Sequence, residues 1–202
     1  LTLPGAALGP ENPLPQFRDP QPDRVVPVRD SVPVAKRDRL GDATGFRVLP
    51  YRMQDRYTRR REPLTFNAAV LENEHLRATF LPELGGRLIS LVCKPDGREL
   101  LCRNPVFQAA NLAIRNAWFS GGIEWNLGLF GHAFTTCAPL FAATFTSADS
   151  SQGLRLYEFE RCTRLFWQID FTLPSGSPWL VAHVRVMNPN AEPAPLYWWT
   201  NI

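Results

Sequence analysis

From Leu64 onward the apolar positions recur at every second residue, the period of a half-buried β-strand. Leu76, Ala78 and Phe80 alternate with Arg77 and Thr79. Pro82-Glu83-Leu84-Gly85-Gly86 then breaks the strand. Residues 87–92 and 98–101 bracket Pro95-Asp96-Gly97, a hairpin signal. Further strands are predicted at 141–145, 154–159, 165–171 and 179–186. In the third of these, Leu165, Trp167, Ile169 and Phe171 share one face, with Gln168 and Asp170 on the other. In the fourth, Leu180, Ala182, Val184 and Val186 face inward, opposite His183 and Arg185. A last strand runs through Leu196-Tyr197-Trp198-Trp199, whose aromatics call for a sheet interior with its partner still to come. Only residues 105–117 suit a short helix.

The first third reads differently. Ten of the 19 prolines fall at or before Pro63, and short apolar pieces such as Val25-Val26-Pro27-Val28 and Phe46-Arg47-Val48-Leu49 alternate with charges. This predicts an extended, proline-rich arm over residues 1–63, with one or two edge strands. The arm has too little apolar surface for a core of its own and lies over a neighbouring domain. Residues 64–202 form that domain, and the fold class is all-β. A chain of 202 residues suits one all-β domain or a piece of a larger one. An aromatic strand near the chain end leaves an open sheet edge. The remainder of a longer polypeptide, or a second chain, is therefore expected to complete the sheet.

Composition removes several classes of function. The net charge of +3 is too small to imply nucleic acid. It is also local: residues 1–63 hold 12 Lys/Arg against 8 Asp/Glu, the rest 10 against 11. Arg59-Arg60-Arg61 reads as a solvated loop, because no aromatic platform interleaves with it. No apolar run approaches membrane-spanning length, and Leu1-Thr2-Leu3-Pro4 shows no leader pattern. The four cysteines form no C-x-x-C pair. If Asp96-Gly97 is a two-residue loop, Cys93 faces Leu100 and Leu91 faces Cys102. The two cysteines are then diagonal, about 7–8 Å apart, beyond the roughly 4.4–6.8 Å of a disulfide. Four free thiols and a reducing, cytoplasmic compartment are expected.

The candidate chemistry sits in Trp118-Phe119-Ser120-Gly121-Gly122-Ile123-Glu124-Trp125-Asn126, followed by Gly131-His132. Flat rings beside polar groups suit sugars, whose C–H faces stack on aromatics while their hydroxyls need partners. Glu124, between Ile123 and Trp125, is the candidate general acid or base, and His132 the candidate assistant. The competing reading of Glu124 is a carboxylate satisfied at the glycine turn. Arg87 either binds sugar hydroxyls or makes a structural salt bridge. Trp118 and Trp125 are stacking platforms or core. Trp198 and Trp199 point to opposite faces, one to the core and one to a cleft. Asn126 and Asn201 bind hydroxyls or cap turns. His75 and His183 are structural, and Asp170 is a poor second carboxylate. Glu124, His132 and Cys137 match no metal-ligand spacing, so neither metal nor other cofactor is expected.

Several stretches together carry a family resemblance. They are Leu71-Glu72-Asn73-Glu74-His75-Leu76-Arg77, residues 81–91, Gly97-Arg98-Glu99-Leu100-Leu101-Cys102-Arg103-Asn104-Pro105, the segment around Glu124, and Tyr197-Trp198-Trp199-Thr200-Asn201. They resemble galactose-mutarotase-like β-supersandwich domains, and in particular an uncharacterised bacterial family of that superfamily often found ahead of tetratricopeptide repeats. The resemblance covers about residues 64–202 and implies the first part of a longer domain. It implies a carbohydrate ligand and three alternatives. The leading one is a glycoside hydrolase with Glu124 as acid or base. The others are an aldose epimerase using His132 with a carboxylate elsewhere, and a non-catalytic glycan-binding or scaffolding module.

Overall fold

The computed structural model describes residues 1–17, 30–34, 48–104, 118–127 and 132–202. The helix expected within 105–117, Gly131 and much of the arm lie outside them. The described residues are nearly all β. The core is built by two four-stranded antiparallel sheets. One runs β5 (Ala69–Glu72), β6 (Leu76–Leu81), β7 (Arg87–Cys93), β8 (Arg98–Glu99) in that order. The other runs β10 (Phe141–Thr146), β11 (Gln152–Glu160), β12 (Leu165–Thr172), β13 (Val181–Met187).

Period-2 patterning explains why the two sheets share a core. Leu76, Ala78 and Phe80 of β6 and Leu165, Trp167, Ile169 and Phe171 of β12 are all buried in a single cluster. The rings of Phe80 and Phe171 meet there at 4.6 Å. The outward residues of β12 pair with their neighbours instead. Asp170 receives Nε and Nη2 of Arg155, at 2.6 and 2.7 Å, which makes it a structural partner on the outer sheet face. The β13 residues expected inward are only partly so. Val184 and Val186 pack on the core half-buried, while Ala182 is exposed. Among the described residues this strand pairs on one side alone, with β12, so the core thins towards it.

Two registers differ from expectation. Cys93 pairs with Arg98, not Leu100, so the hairpin loop is Lys94–Gly97. Within this loop the Asp96 carboxylate accepts from the Arg98 amide at 3.1 Å and Gly97 takes φ +67°. All four cysteines are free thiols. The final strand, β14 (Trp198–Asn201), finds its partner upstream: it pairs antiparallel with β9 (Glu124–Leu127), setting Asn201 opposite Glu124. Strand alternation then places Trp198 against Trp167 in the core and Trp199 against His132.

The arm contributes strands to this body. Its β1 (Thr2–Gly5) pairs with β4 (Glu62–Thr65), and β2 (Pro15–Phe17) with β3 (Val48–Arg52). Leu49 and Tyr51 of β3 are buried with Phe134 in a small cluster of their own. Prolines at 4, 15, 50 and 63 fall in these two-stranded pairs, which have free edges where a missing N–H is tolerated. No helix among the described residues is long and apolar enough to cross a membrane.

Candidate functional site

The site is assembled where β7 starts, where β9 and β14 pair, and along the turn-rich segment from His132 to Ala138. Gly122 makes the approach possible. Its φ is +72°, and a Cβ there would lie 2.4 Å from the Leu88 carbonyl oxygen, so only glycine fits. The chain thereby lies close enough for Ile123 and Leu88 to exchange backbone hydrogen bonds of 2.9 and 3.1 Å, which sets Glu124 beside Arg87. Gly85, at φ +65°, performs the same service for the other wall, because a Cβ would stand 2.8 Å from the Thr136 carbonyl oxygen.

Glu124 is the hub and is 3% exposed. Its Oε2 accepts from Arg87 Nη2 at 3.0 Å and from the Thr136 hydroxyl at 3.0 Å. Its Oε1 accepts from Asn126 Nδ2 at 3.3 Å, from Asn201 Nδ2 at 3.4 Å, and pairs with His132 Nδ1. With these donors converging on the carboxylate, the His132 Nδ1–H is the natural fifth donor, which leaves Nε2 as the imidazole's outward nitrogen. Arg87, 2% exposed, also donates to the carbonyls of Phe119 at 3.1 Å and Gly121 at 2.7 Å. Its guanidinium carbon sits 3.7 Å over the Phe119 ring. Burial pulls the Arg87 pKa down from its ordinary value, and the charge of Glu124 opposes that pull.

His132 keeps 18% of its side chain exposed. The Trp199 ring meets it edge-on at 4.6 Å, and the Trp118 ring lies at 6.5 Å. Beside this chain is a depression of about 210 Å³ lined by Arg87, Trp118, Ser120, Gly121, Glu124 and Asn201, among others. Glu124 is the one acidic side chain among its described lining residues. Two buried donors, Arg87 Nε and Trp199 Nε1, have no hydrogen-bond partner among the described residues.

The site residues expected from sequence separate into two groups. Glu124, His132, Arg87 and Trp118 are brought together, with Trp118 standing 54% exposed at the rim. Trp125 is placed in the core. It is 7% exposed, donates its Nε1–H to the Gly86 carbonyl at 3.0 Å and packs on Phe171 at 5.1 Å. Strand alternation turns it into the core when Glu124 and Asn126 face the site. Asn126 lies behind the surface of the site. It is fully buried, and it links the hub to the His132 segment by accepting the Ala133 amide at 2.7 Å. Arg87 spends Nη1 and Nη2 on protein acceptors, while its Nε has none among the described residues. Thr136 is a hub residue that sequence reasoning missed, since a lone threonine in a turn carries no signal. Among the described residues, no group of three or more His, Cys, Asp or Glu gathers as metal ligands do.

Comparison with known proteins adds two findings. Residues 44–202 match the model of a domain of unknown function, DUF5107. The crystal structure of a TPR-domain containing protein from Parabacteroides distasonis is similar over 94% of this chain, with a TM-score of 0.68 and 23% sequence identity. The likeness is one of fold. The chain spans 28% of that protein's length.

Proposed function

The chain belongs to the DUF5107 family, and we propose that it is part of a carbohydrate-active enzyme in which His132, oriented by Glu124, transfers a proton at a sugar. The observation that carries this reading is the buried chain Arg87–Glu124–His132, which ends at a partly exposed imidazole beside two tryptophans. A carboxylate on Nδ1 fixes the ring's orientation and stabilises the imidazolium that forms when Nε2 takes a proton. In the neutral form Nε2 accepts a proton from a hydroxyl; in the charged form it returns one to a ring or glycosidic oxygen. Trp118 offers an exposed face for a pyranose, and Asn201 an amide at the same wall.

Glu124 acts here as the positioning carboxylate. Its burial and its five partners commit both its oxygens to the protein, whereas His132 keeps 18% of its side chain exposed, next to the depression rather than among its lining residues. This favours aldose-epimerase-like chemistry, with the second proton-transfer group supplied from outside the described residues. Hydrolysis of a glycosidic bond is the second reading, favoured by the fact that Glu124 does line the depression. It needs another carboxylate about 5–9.5 Å away, and Asp170 is committed to Arg155 on the outer sheet face. The two packed antiparallel sheets support reading residues 64–202 as the first part of a galactose-mutarotase-like supersandwich. The rest of that domain is then contributed by more of the same polypeptide or by a second chain.

The test uses the full-length polypeptide on a panel of reducing sugars and glycans, with NMR of anomer exchange alongside a reducing-end assay. His132→Asn keeps the fold and lowers turnover by roughly 10²–10⁴-fold, the worth of a positioned acid–base group. Exchange of anomers without new reducing ends identifies the epimerase, and new reducing ends identify the hydrolase. A His132→Asn variant with wild-type turnover refutes the assignment of His132. Glycan binding without turnover, weakened by Trp118→Ala, leaves a recognition module.

A further inference from the structure

We propose that Tyr51, in the N-terminal arm, is a positioning residue for His132 and acts through Phe134. The inference rests on the role assigned to His132, but the coupling it describes is measurable without any substrate.

The segment from His132 to Ala138 is gripped from two sides. On the inner side its groups are tied to the hub: His132 and Thr136 bond Glu124, and the Ala133 amide bonds Asn126. Thr136 also closes a turn back onto the Ala133 carbonyl at 3.1 Å, and Gly85 donates to the Ala138 carbonyl at 2.8 Å. On the outer side Phe134 is buried against Tyr51, with ring centroids 4.3 Å apart and planes 14° from parallel. The arm and the catalytic hub therefore hold the same few residues.

Tyr51 itself has a fixed place. Its hydroxyl donates to Glu160 Oε1 at 3.3 Å and accepts the Arg161 amide at 2.9 Å. Glu160 is buried and also takes the amides of Cys162 at 3.0 Å and Thr163 at 2.6 Å, so the turn between β11 and β12 forms a rigid socket. Arg161 closes over the arm, its guanidinium carbon 5.0 Å from the Tyr51 ring centre and its Nη1 bonding the Pro50 carbonyl at 3.3 Å. One residue, Ala133, separates Phe134 from His132. Two residues of chain reach only about 7 Å, so a shift of the Phe134 ring is passed on to the imidazole rather than absorbed. Retaining the ring stack at Tyr51 is thus what matters, and its hydroxyl serves to seat the ring.

The test is made on the full-length polypeptide labelled at histidine and alanine, with His132 signals assigned by their loss in His132→Asn. Long-range proton–nitrogen NMR reads the His132 tautomer, and hydrogen exchange reads the Ala133 amide. Wild type and Tyr51→Phe hold the tautomer with hydrogen on Nδ1. Tyr51→Leu gives a mixture of tautomers, and its Ala133 amide exchanges roughly tenfold faster, which corresponds to about 1.4 kcal/mol of lost closure. Leu173→Ala, a cavity in the central core, lowers stability without either change. If Tyr51→Leu does not fold, Phe134→Leu breaks the same stack from the other side. A folded stack variant with wild-type His132 and Ala133 signals overturns the proposal, and so does Leu173→Ala producing the same changes. Altered signals in a protein that His132→Asn shows to have no sugar chemistry leave the coupling standing and remove the functional reading.

Discussion

Replacing Arg87 with methionine is the sharpest test of the hub. Methionine fills much of the same volume without charge or donors. Arg87 is 2% exposed and makes four hydrogen bonds, to Glu124, Thr136 and the carbonyls of Phe119 and Gly121. Removing one partner of a buried ion pair costs about 3–5 kcal/mol, because the other charge stays buried without compensation. Each carbonyl left without a donor adds roughly 1–3 kcal/mol where water cannot reach it. These terms overlap, so the loss for Arg87→Met is at least about 3 kcal/mol, a large share of the roughly 5–15 kcal/mol that holds a domain together. Glu124→Gln alone is destabilising as well, since the amide oxygen still accepts from Arg87 and Thr136 but the Arg87 charge is left buried without its counter-ion. In the Arg87→Met background the same Glu124→Gln change becomes nearly neutral or stabilising, because it removes the orphaned charge. Urea unfolding of the four proteins in the cycle measures this directly. Additive losses, or an Arg87→Met loss under about 1 kcal/mol, would refute the claim that this pair is buried and mutually dependent.

Three other outcomes follow from the same geometry. Gly122→Ala drives a Cβ to within 2.4 Å of the Leu88 carbonyl oxygen at a φ of +72°; urea unfolding shows a loss well above the roughly 1 kcal/mol of an ordinary strained glycine site, and a neutral result rules out the close approach. Trp125→Ala lowers stability by about 3–5 kcal/mol while Trp118→Ala stays within about 0.5 kcal/mol; equal losses in thermal unfolding would mean that core and rim have been interchanged. Arg155 holds the Asp170 carboxyl below its usual pKa, chiefly by hydrogen bonding. A depressed folded pKa stabilises above the unfolded value of about 3.9 and is lost as pH falls through the folded one. The stability gap between wild type and Asp170→Asn, about 0.5–1 kcal/mol at neutral pH, therefore narrows below about pH 4; a gap that widens in acid contradicts the pairing.

Much of the fold was legible because its signals are local. Alternation in 76–80 and 165–171 put the right residues inside, since a strand with one buried face has little choice of register. The Asp96-Gly97 turn marked the hairpin, but its length was not legible. The strands stop pairing at Cys93 and Arg98, and an Asp-Gly pair by itself marks a turn without fixing where the pairing on either side ends. The partner of the last strand was illegible for a different reason. Asn201 lies opposite Glu124 across 77 positions, and nothing in either segment's pattern names the other.

The site shows the same division more sharply. Glu124, His132 and Arg87 were singled out by residue type and, for Glu124, by its place between Ile123 and Trp125. What each of them does was not in the sequence, because role depends on which oxygen and which nitrogen face which neighbour. An acidic residue flanked by apolar ones reads as a desolvated acid; the structure surrounds it with a guanidinium, a hydroxyl, two amides and an imidazole. That changes the direction of the argument. The carboxylate is bonded on both oxygens, and the histidine beside it is the more exposed of the two, 18% against 4%. Trp125 and Asn126 follow from the same logic. In a strand whose four residues are all buried, neighbours in sequence cannot all face one cleft, so a cluster such as Ile123-Glu124-Trp125-Asn126 must divide between core and site. Alternation alone implies that division, with Glu124 and Asn126 on one face of the strand and Trp125 on the other.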